Sequence, residues 1–346
     1  MKYSIIVPVY NRPDEVDELL ESLCSQTLKD FEVVIVEDGS QKPCKDVCDK
    51  YADILDLHYY YKENSGPGQS RNYGVERAQG EYVIILDSDV VVPADYLASV
   101  DAQLHSSFLI PHSSLCIAWG GPDAAHPSFT PVQKAISYSM TSFFTTGGIR
   151  GGKAKLDKFY PRSFNMGIRR DVYQQLGGFS KMRFGEDIDF SYRIVEAGYQ
   201  PRLFPDAWVW HKRRTDFRKF FRQVYNSGIA RINLEKRHPG TLKLVHLLPM
   251  VFTVGVIGLL LLSLLALLSP LTAHLSPLFL LPLLLYCLLI FVDSSMKNKS
   301  LWVGLLSIPA AFVQLMGYGF GFIESWWKRC VLKQDEFTAF EKNFYS

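Results

Sequence analysis

The sequence predicts an α/β domain on a mostly parallel sheet with helices on both faces, followed by membrane-associated helices. Three features predict it. Apolar strand-like runs alternate with helix-patterned segments over residues 3–86. No Lys, Arg, Asp or Glu occurs from Leu244 to Val292 or from Leu301 to Ile323, and each run exceeds the ~20 residues that cross a bilayer. An acidic turn, Asp87-Ser88-Asp89, closes the apolar run Tyr82–Leu86. In open α/β sheets ligands collect outside the carboxyl ends of the strands, and two carboxylates in a tight turn can hold a hard divalent cation against a diphosphate.

The elements follow in order. Tyr3–Val9 reads as the first strand. Its apolar part is too short for a signal peptide and stops at Pro8, so the globular part is expected in the cytoplasm. Val16, Leu19, Leu20 and Leu23 stand at helical spacing over Asp14–Ser25, with Pro13 near the start. Phe31–Val36 is a second strand closed by Glu37-Asp38-Gly39-Ser40, and Leu55–Tyr60 a third. Pro67–Ala78 is a helix stopped by Gly80, and Glu81–Leu86 the fourth strand. Leu109–Ala118 reads as a strand. Residues 122–158 are rich in Gly, Ser, Thr and Pro, with a helix near Val132–Phe143 and loops suited to acceptor recognition. Arg170–Leu176 and Asp187–Ala197 are helices, and Arg202–Trp210 a strand.

The tail divides further. Phe217–Leu234 mixes Phe217, Phe220, Phe221, Val224 and Tyr225 with Arg218, Lys219 and Arg222, which suits a helix lying in a membrane interface. Spans are expected at Leu247–Leu268 and Leu275–Val292. The linker Ser269–His274 lacks Lys and Arg and faces away from the cytoplasm, while Lys297 and Lys299 face inward. A third span, Leu301–Ile323, would put Lys328 and Arg329 outside, against that rule; a re-entrant or interfacial segment is the alternative. The expected organisation is residues 1–212 catalytic, 213–240 basic and interfacial, 241–325 two to three membrane helices, and 326–346 a tail. The chain is expected to be a multi-pass membrane protein with its catalytic domain on the cytoplasmic face of a bacterial inner membrane.

Composition narrows the partners. The net charge of +2 over 346 residues excludes little. The basic residues cluster, however: Arg169, Arg170, Lys212, Arg213, Arg214, Arg218, Lys219, Arg222, Arg231, Lys236 and Arg237 all precede the first span. Anionic lipid headgroups are nearer to them than nucleic acid, so a lipid bilayer is expected as a partner and nucleic acid is not. The six cysteines form no CxxC pair or zinc spacing and read as reduced packing residues; Cys44 and Cys48 can share a helix face.

Five segments then carry a resemblance: Ser4–Arg12, Val36–Ser40, Gly66–Gly74, Asp87–Asp89 and Gly185-Glu186-Asp187. In this order and spacing they resemble the inverting glycosyltransferases of family 2, of GT-A fold. The resemblance covers residues 3–211. It implies a nucleotide-diphosphate sugar donor and a divalent metal, Mg²⁺ or Mn²⁺. It places Pro8, Val9 and Tyr10 in the base pocket, Asp38 against base or ribose, and Arg71 and Asn72 near the nucleotide. Arg71 is either a diphosphate partner or a bridge to Asp38 or to the acidic turn. Asp89 is the expected metal ligand; Asp87 meets ribose or metal, with Ser88 between them on the donor. His211 is a third metal ligand or a plain surface residue. Asp187 resembles the base that removes the acceptor hydroxyl proton, with Glu186 beside it to raise its pKa. Its bland role is the cap of the helix Ile188–Ala197. Asp189 is a second acid or a first-turn residue favoured by the helix dipole.

Processive synthases of this family carry Gln-x-x-Arg-Trp after the Glu-Asp pair. Here Gln223-Val224-Tyr225-Asn226-Ser227 stands at about that distance without Arg-Trp, which points to addition of one sugar. The expected acceptor is membrane-bound, a lipid-linked glycan or glycolipid of cell-surface polysaccharide synthesis. Transfer to polyprenyl phosphate, or a catalytically silent scaffold, are the competing readings. A nucleotidyltransferase would want a Gly-rich basic loop where Pro8-Val9-Tyr10-Asn11 stands.

Overall fold

The computed structural model describes residues 1–108, 116–126, 128–147, 159–268 and 270–336. The described chain divides into two compact units, one of residues 1–108, 116–126 and 159–212 and the other of 128–147, 213–268 and 270–336. In chain order the elements begin with β1 (Tyr3–Val9), α1 (Pro13–Cys24), β2 (Phe31–Asp38), α2 (Lys45–Asp49), β3 (Leu57–Lys62), α3 (Pro67–Val75), β4 (Tyr82–Leu86), β5 (Val90–Val91) and α4 (Tyr96–Phe108). There follow β6 (Ala118–Gly120), β7 (Asp123–Ala124), α5 (Pro131–Thr141), α6 (Phe143–Thr146), β8 (Asn165–Arg169), α7 (Arg170–Gln175), α8 (Glu186–Glu196), β9 (Arg202–Leu203) and β10 (Val209–His211). The last are α9 (Phe217–Arg237), α10 (Leu248–Leu267), α11 (Ser276–Asn298) and α12 (Leu301–Trp326).

In the first unit a seven-stranded sheet runs in the order β3-β2-β1-β4-β8-β6-β9. β1 pairs in parallel with β2 and β4, and β8 runs antiparallel to both its neighbours. The chain winds outward from β1 to β2 and β3, then returns to place β4 on the other side. This reversal leaves a crevice at the carboxyl ends of β1 and β4, where ligands bind in such folds. Strand alternation explains the two layers. Ile5, Val7 and Val9 pack with Val16 and Leu19 of α1 and Tyr96 and Val100 of α4. Ile6, Val34 and Val36 pack on the opposite face with Val75 of α3, Tyr173 of α7 and Phe190 of α8. β4 is buried throughout and β1 at every position but Pro8, so both read as nearly continuous apolar runs.

A second, three-stranded sheet joins β5, β10 and β7. Its existence corrects the expected strand Arg202–Trp210, which is split. Leu203 pairs with Gly120 in the large sheet, whereas Trp210 pairs with Val91 and Ala124 in the small one. Between them Pro205 has no N–H for a ladder, and a turn closes from Ala207 N to Phe204 O at 3.2 Å. The strand expected at Leu109–Ala118 lies mostly outside the described residues. All six cysteines are unbridged; the Cys44 and Cys48 sulfurs lie 4.0 Å apart in the core.

The second unit is helical. α5 belongs to it: Ala135 packs with Val303 and Ala310, and Tyr138 with Ile290 and Ala311. Residues 128–147 thus leave the domain in which the sequence reading includes them. α9 differs too. Its Phe220 and Val224 are buried with Ile136 and Met140 and against Val313 and Tyr318, so protein covers much of the stripe expected to lie on lipid. Leu244–Leu267, Ala273–Asn298 and Leu301–Val331 are each long and apolar enough to cross a membrane.

Candidate active site

The crevice gathers most of the expected residues. β4 ends at Leu86, and the next three residues turn into β5, which carries Asp87 and Asp89 to its mouth. β10, paired with β5, puts His211 opposite Val90. As a result Asp87, Asp89 and His211 offer one ligand atom each, all within 4.8 Å of one another. His211 Nε2 is 3.3 Å from Asp89 Oδ1 and its Nδ1 3.9 Å from Asp123 Oδ2. The ring stacks on Phe164 at 5.0 Å, which fixes its plane. Two carboxylate oxygens and an imidazole nitrogen form a donor set that fits Mn²⁺ and, less readily, Mg²⁺. Asp89 is buried, and its Oδ2 accepts from Arg12 Nη1 at 3.0 Å. Arg12 also holds Glu15 at 2.6 Å. Ser88 is buried between the two acids.

Arg71 lies between the acidic turn and α8. Its guanidinium is buried and forms a bridge, donating to Asp87 Oδ1 at 2.8 Å and to Glu186 Oε1 at 3.1 Å. The ring of Phe179 lies 5.1 Å away. One cation therefore ties the acidic turn after β4 to the start of α8.

α8 begins at Glu186, one residue earlier than expected, after Gly185 in the left-handed region at φ 85°. Asp187 Oδ1 accepts from Ile188 N at 2.9 Å, and its Oδ2 from Arg162 Nε at 2.6 Å. Burial pushes the Asp187 pKa up, but the charge and hydrogen bond of Arg162 more than offset this and hold it below the usual carboxylate range. Glu186 moves the other way. Burial first, then the neighbouring Asp187 charge, raises it to about 6. The sequence reading expects Asp187 to be raised by Glu186; the raised member of the pair is Glu186. Asp189 is turned to Arg193 of the same helix, 3.1 Å away.

Asp38 is buried, and both its oxygens are engaged. Oδ1 accepts from Lys62 Nζ at 2.6 Å and Ser65 N at 2.9 Å; Oδ2 accepts from Gly66 N at 2.9 Å and Asn64 Nδ2 at 3.2 Å. It thereby shapes the loop between β3 and α3. Asn72 faces the segment before α8: its side chain accepts from Tyr173 Oη at 2.6 Å and Phe179 N at 2.8 Å, and donates to Phe179 O at 2.9 Å. Val9 points into the core, while Pro8 and Tyr10 are half-buried at the end of β1.

Sequence reasoning assigns no role to Arg12, Lys62, Asp123 or Arg162. The signal available for Arg12 was its place just past the carboxyl end of β1. Arg162 carries no local signal in the sequence.

Family models agree with this architecture. Glycosyl transferase family 2 matches residues 4–106, and glycosyl transferase family group 2 matches residues 82–292. The chain belongs to glycosyltransferase family 2. A glycosyltransferase of Rickettsia felis, itself uncharacterised, is 35% identical over 117 residues, 33% of this chain and 19% of that protein. The pre-mycofactocin glycosyltransferase of Mycobacterium tuberculosis is 26% identical over 249 residues, 68% of this chain and 48% of the relative. The chain thus spans less than half the length of either. Among solved structures, the mannosyltransferase PcManGT from Pyrobaculum calidifontis, in complex with GDP-Man and Mn²⁺, superposes with a TM-score of 0.56 at 17% identity, over 95% of this chain and 88% of that one. The likeness is one of fold, and that fold is GT-A.

Proposed function

We propose that the protein transfers one sugar, with inversion, from a nucleotide-diphosphate sugar to a membrane-associated acceptor, a lipid-linked glycan or glycolipid. The observation that carries this reading is the Arg71 bridge between Asp87 and Glu186. It holds a donor-side acidic turn and an acceptor-side acid pair to one crevice, as a displacement with separate leaving-group and base functions requires. Asp87, Asp89 and His211 would hold the divalent cation. When bound there, the cation neutralises charge on the departing diphosphate. Asp187, ionised at neutral pH, accepts the acceptor hydroxyl proton. Pro8, Tyr10 and the loop shaped by Asp38 line the nucleoside end. The long apolar helices support an acceptor confined to a membrane surface.

The test is calorimetric titration of the full chain with a panel of nucleotide sugars, with Mn²⁺, with Mg²⁺ and with neither. The expected result is metal-dependent binding of one donor that Asp89→Asn abolishes. Folded protein that binds no donor under any condition overturns the reading in favour of a silent scaffold. Turnover of the bound donor with polyprenyl phosphate against lipid-linked glycan then separates the two acceptor classes.

A further inference from the structure

Length and composition admit three membrane spans in the helical unit, but packing separates them. α10 and α11 form a hairpin. Ser263 Oγ meets Ser276 Oγ at 2.7 Å near its tip, and the Phe252 ring packs tilted against Tyr286 at 5.2 Å near its root. α12 touches the root. Its Gly304 lies against Phe291 and Ser295, its Ser307 bonds Ser294 at 2.6 Å, and its Phe312 meets Phe252 and Tyr286. Beyond Phe312 the helix goes no deeper. Leu315 and Gly319 return to Thr253 and Pro249 in the first turns of α10. From Phe252 to the end of α10 at Leu267, about 22 Å of hairpin at 1.5 Å per residue extends beyond the level α12 reaches.

Exposure follows the same division. Toward the tip, Leu260, Leu261, Leu264 and Leu278 are 50–60% exposed, and the chain carries no Lys, Arg, Asp or Glu from Leu244 to Val292. Only acyl chains make a matching environment for such a surface. α12 instead buries Val303, Ala310, Ala311, Leu315 and Phe322, and its partners include α9, a helix rich in Arg and Lys. Ser325 Oγ donates to Ile229 O at 3.2 Å and Arg329 Nε to Asn233 Oδ1 at 3.0 Å. A full span would pull that charged helix into hydrocarbon.

We infer that only α10 and α11 cross the bilayer, and that α12 lies with α9 in the interfacial layer at the hairpin root. Lys243, Lys297, Lys299, Lys328 and Arg329 then all meet the headgroups of one leaflet, while the loop Leu268–Leu275 holds no basic Lys or Arg. The charge conflict of a third span disappears.

Sided labelling of the full chain in sealed vesicles tests this. An impermeant maleimide would be applied, with modification read peptide by peptide by mass. The native exposed Cys330 is compared with Lys243→Cys at the root and His274→Cys at the tip. Cys330 should label from the same side as Lys243→Cys and from the opposite side to His274→Cys. Labelling of Cys330 from the His274→Cys side establishes a third span and overturns the inference. Lys236→Cys replaces Lys243→Cys as the root reference if the latter does not fold.

Discussion

Arg162 Nε donates to Asp187 Oδ2 at 2.6 Å, so the acid proposed as base is engaged before any acceptor arrives. The charged groups facing it are Arg162 and Arg71, with Glu186 beside it feeling its charge. A base works ionised, and a lowered pKa keeps it ionised into more acidic solution. Removing the Arg162 charge should let burial raise the pKa. Arg162→Gln is therefore expected to move the acidic limb of the kcat/KM profile to higher pH. A pH profile of the variant checks it, and an unmoved limb would mean that another group titrates.

Glu186 and Asp187 differ in a way that assigns roles. Asp187→Asn should lower kcat roughly 10²- to 10⁴-fold, the usual worth of a positioned base, with donor affinity kept. Glu186→Gln retains an oxygen for Arg71 Nη1 and should keep most of the rate. The raised pKa of Glu186, about 6, means that its ionised form costs stability above that pH, a cost relieved as pH falls through 6 toward its unfolded value. Glu186→Gln should accordingly raise Tm above pH 6 and gain little near pH 4. A large kcat loss in Glu186→Gln with Asp187→Asn spared would exchange the two assignments.

Arg12 holds Asp89 Oδ2 at 3.0 Å, which leaves Oδ1 toward His211 Nε2. A partner that orients a metal ligand is commonly worth about 10- to 100-fold in metal affinity. Arg12→Gln should weaken Mn²⁺ binding, followed by electron paramagnetic resonance, within that range, while thermal unfolding without metal changes little. Unaltered Mn²⁺ affinity would show that Asp89 is positioned by its turn alone.

Asn72 tests a role that resemblance implies against one that geometry displays. Its side chain serves Tyr173 Oη and Phe179 N and O, and Gly178 is in the left-handed region with its Cβ position only 2.3 Å from Asn72 Oδ1. Truncation leaves buried polar groups unpaired, at about 1–3 kcal/mol. Asn72→Ala should lose stability in urea unfolding with donor affinity nearly unchanged. Lost affinity at full stability would favour direct contact with the nucleotide.

The parallel strands were legible because both their faces are buried, so Tyr82–Leu86 and Tyr3–Val9 announce themselves without partners. Asp87, Asp89 and His211 were legible as residue types at strand ends. Their supporting cations were not, because Arg12 reaches Asp89 across 77 positions and Arg162 reaches Asp187 across 25, and such pairing is decided by the fold rather than by local pattern. The periodicity of α9 shows an apolar stripe but not what covers it. Lipid and α12 satisfy the same pattern equally, and the covering helix lies far along the chain.

That covering helix depends on two glycines. A Cβ on Gly228 of α9 would sit 2.2 Å from Tyr318 O, and one on Gly321 of α12 would sit 2.0 Å from Tyr225 O. The two backbones are in contact from both sides, with no flexible side chain able to yield. Gly228→Ala should force α9 and α12 apart and destabilise the helical unit by about 1–3 kcal/mol, the usual cost of overpacking. Gly258 in α10 has nothing within 4 Å of its Cβ position, so Gly258→Ala should be neutral or stabilising by up to about 1 kcal/mol from helix propensity alone. Thermal unfolding of both variants in the same detergent measures the difference. Equal, small effects would mean that α9 and α12 do not pack this closely, and the shared interfacial layer would lose its support.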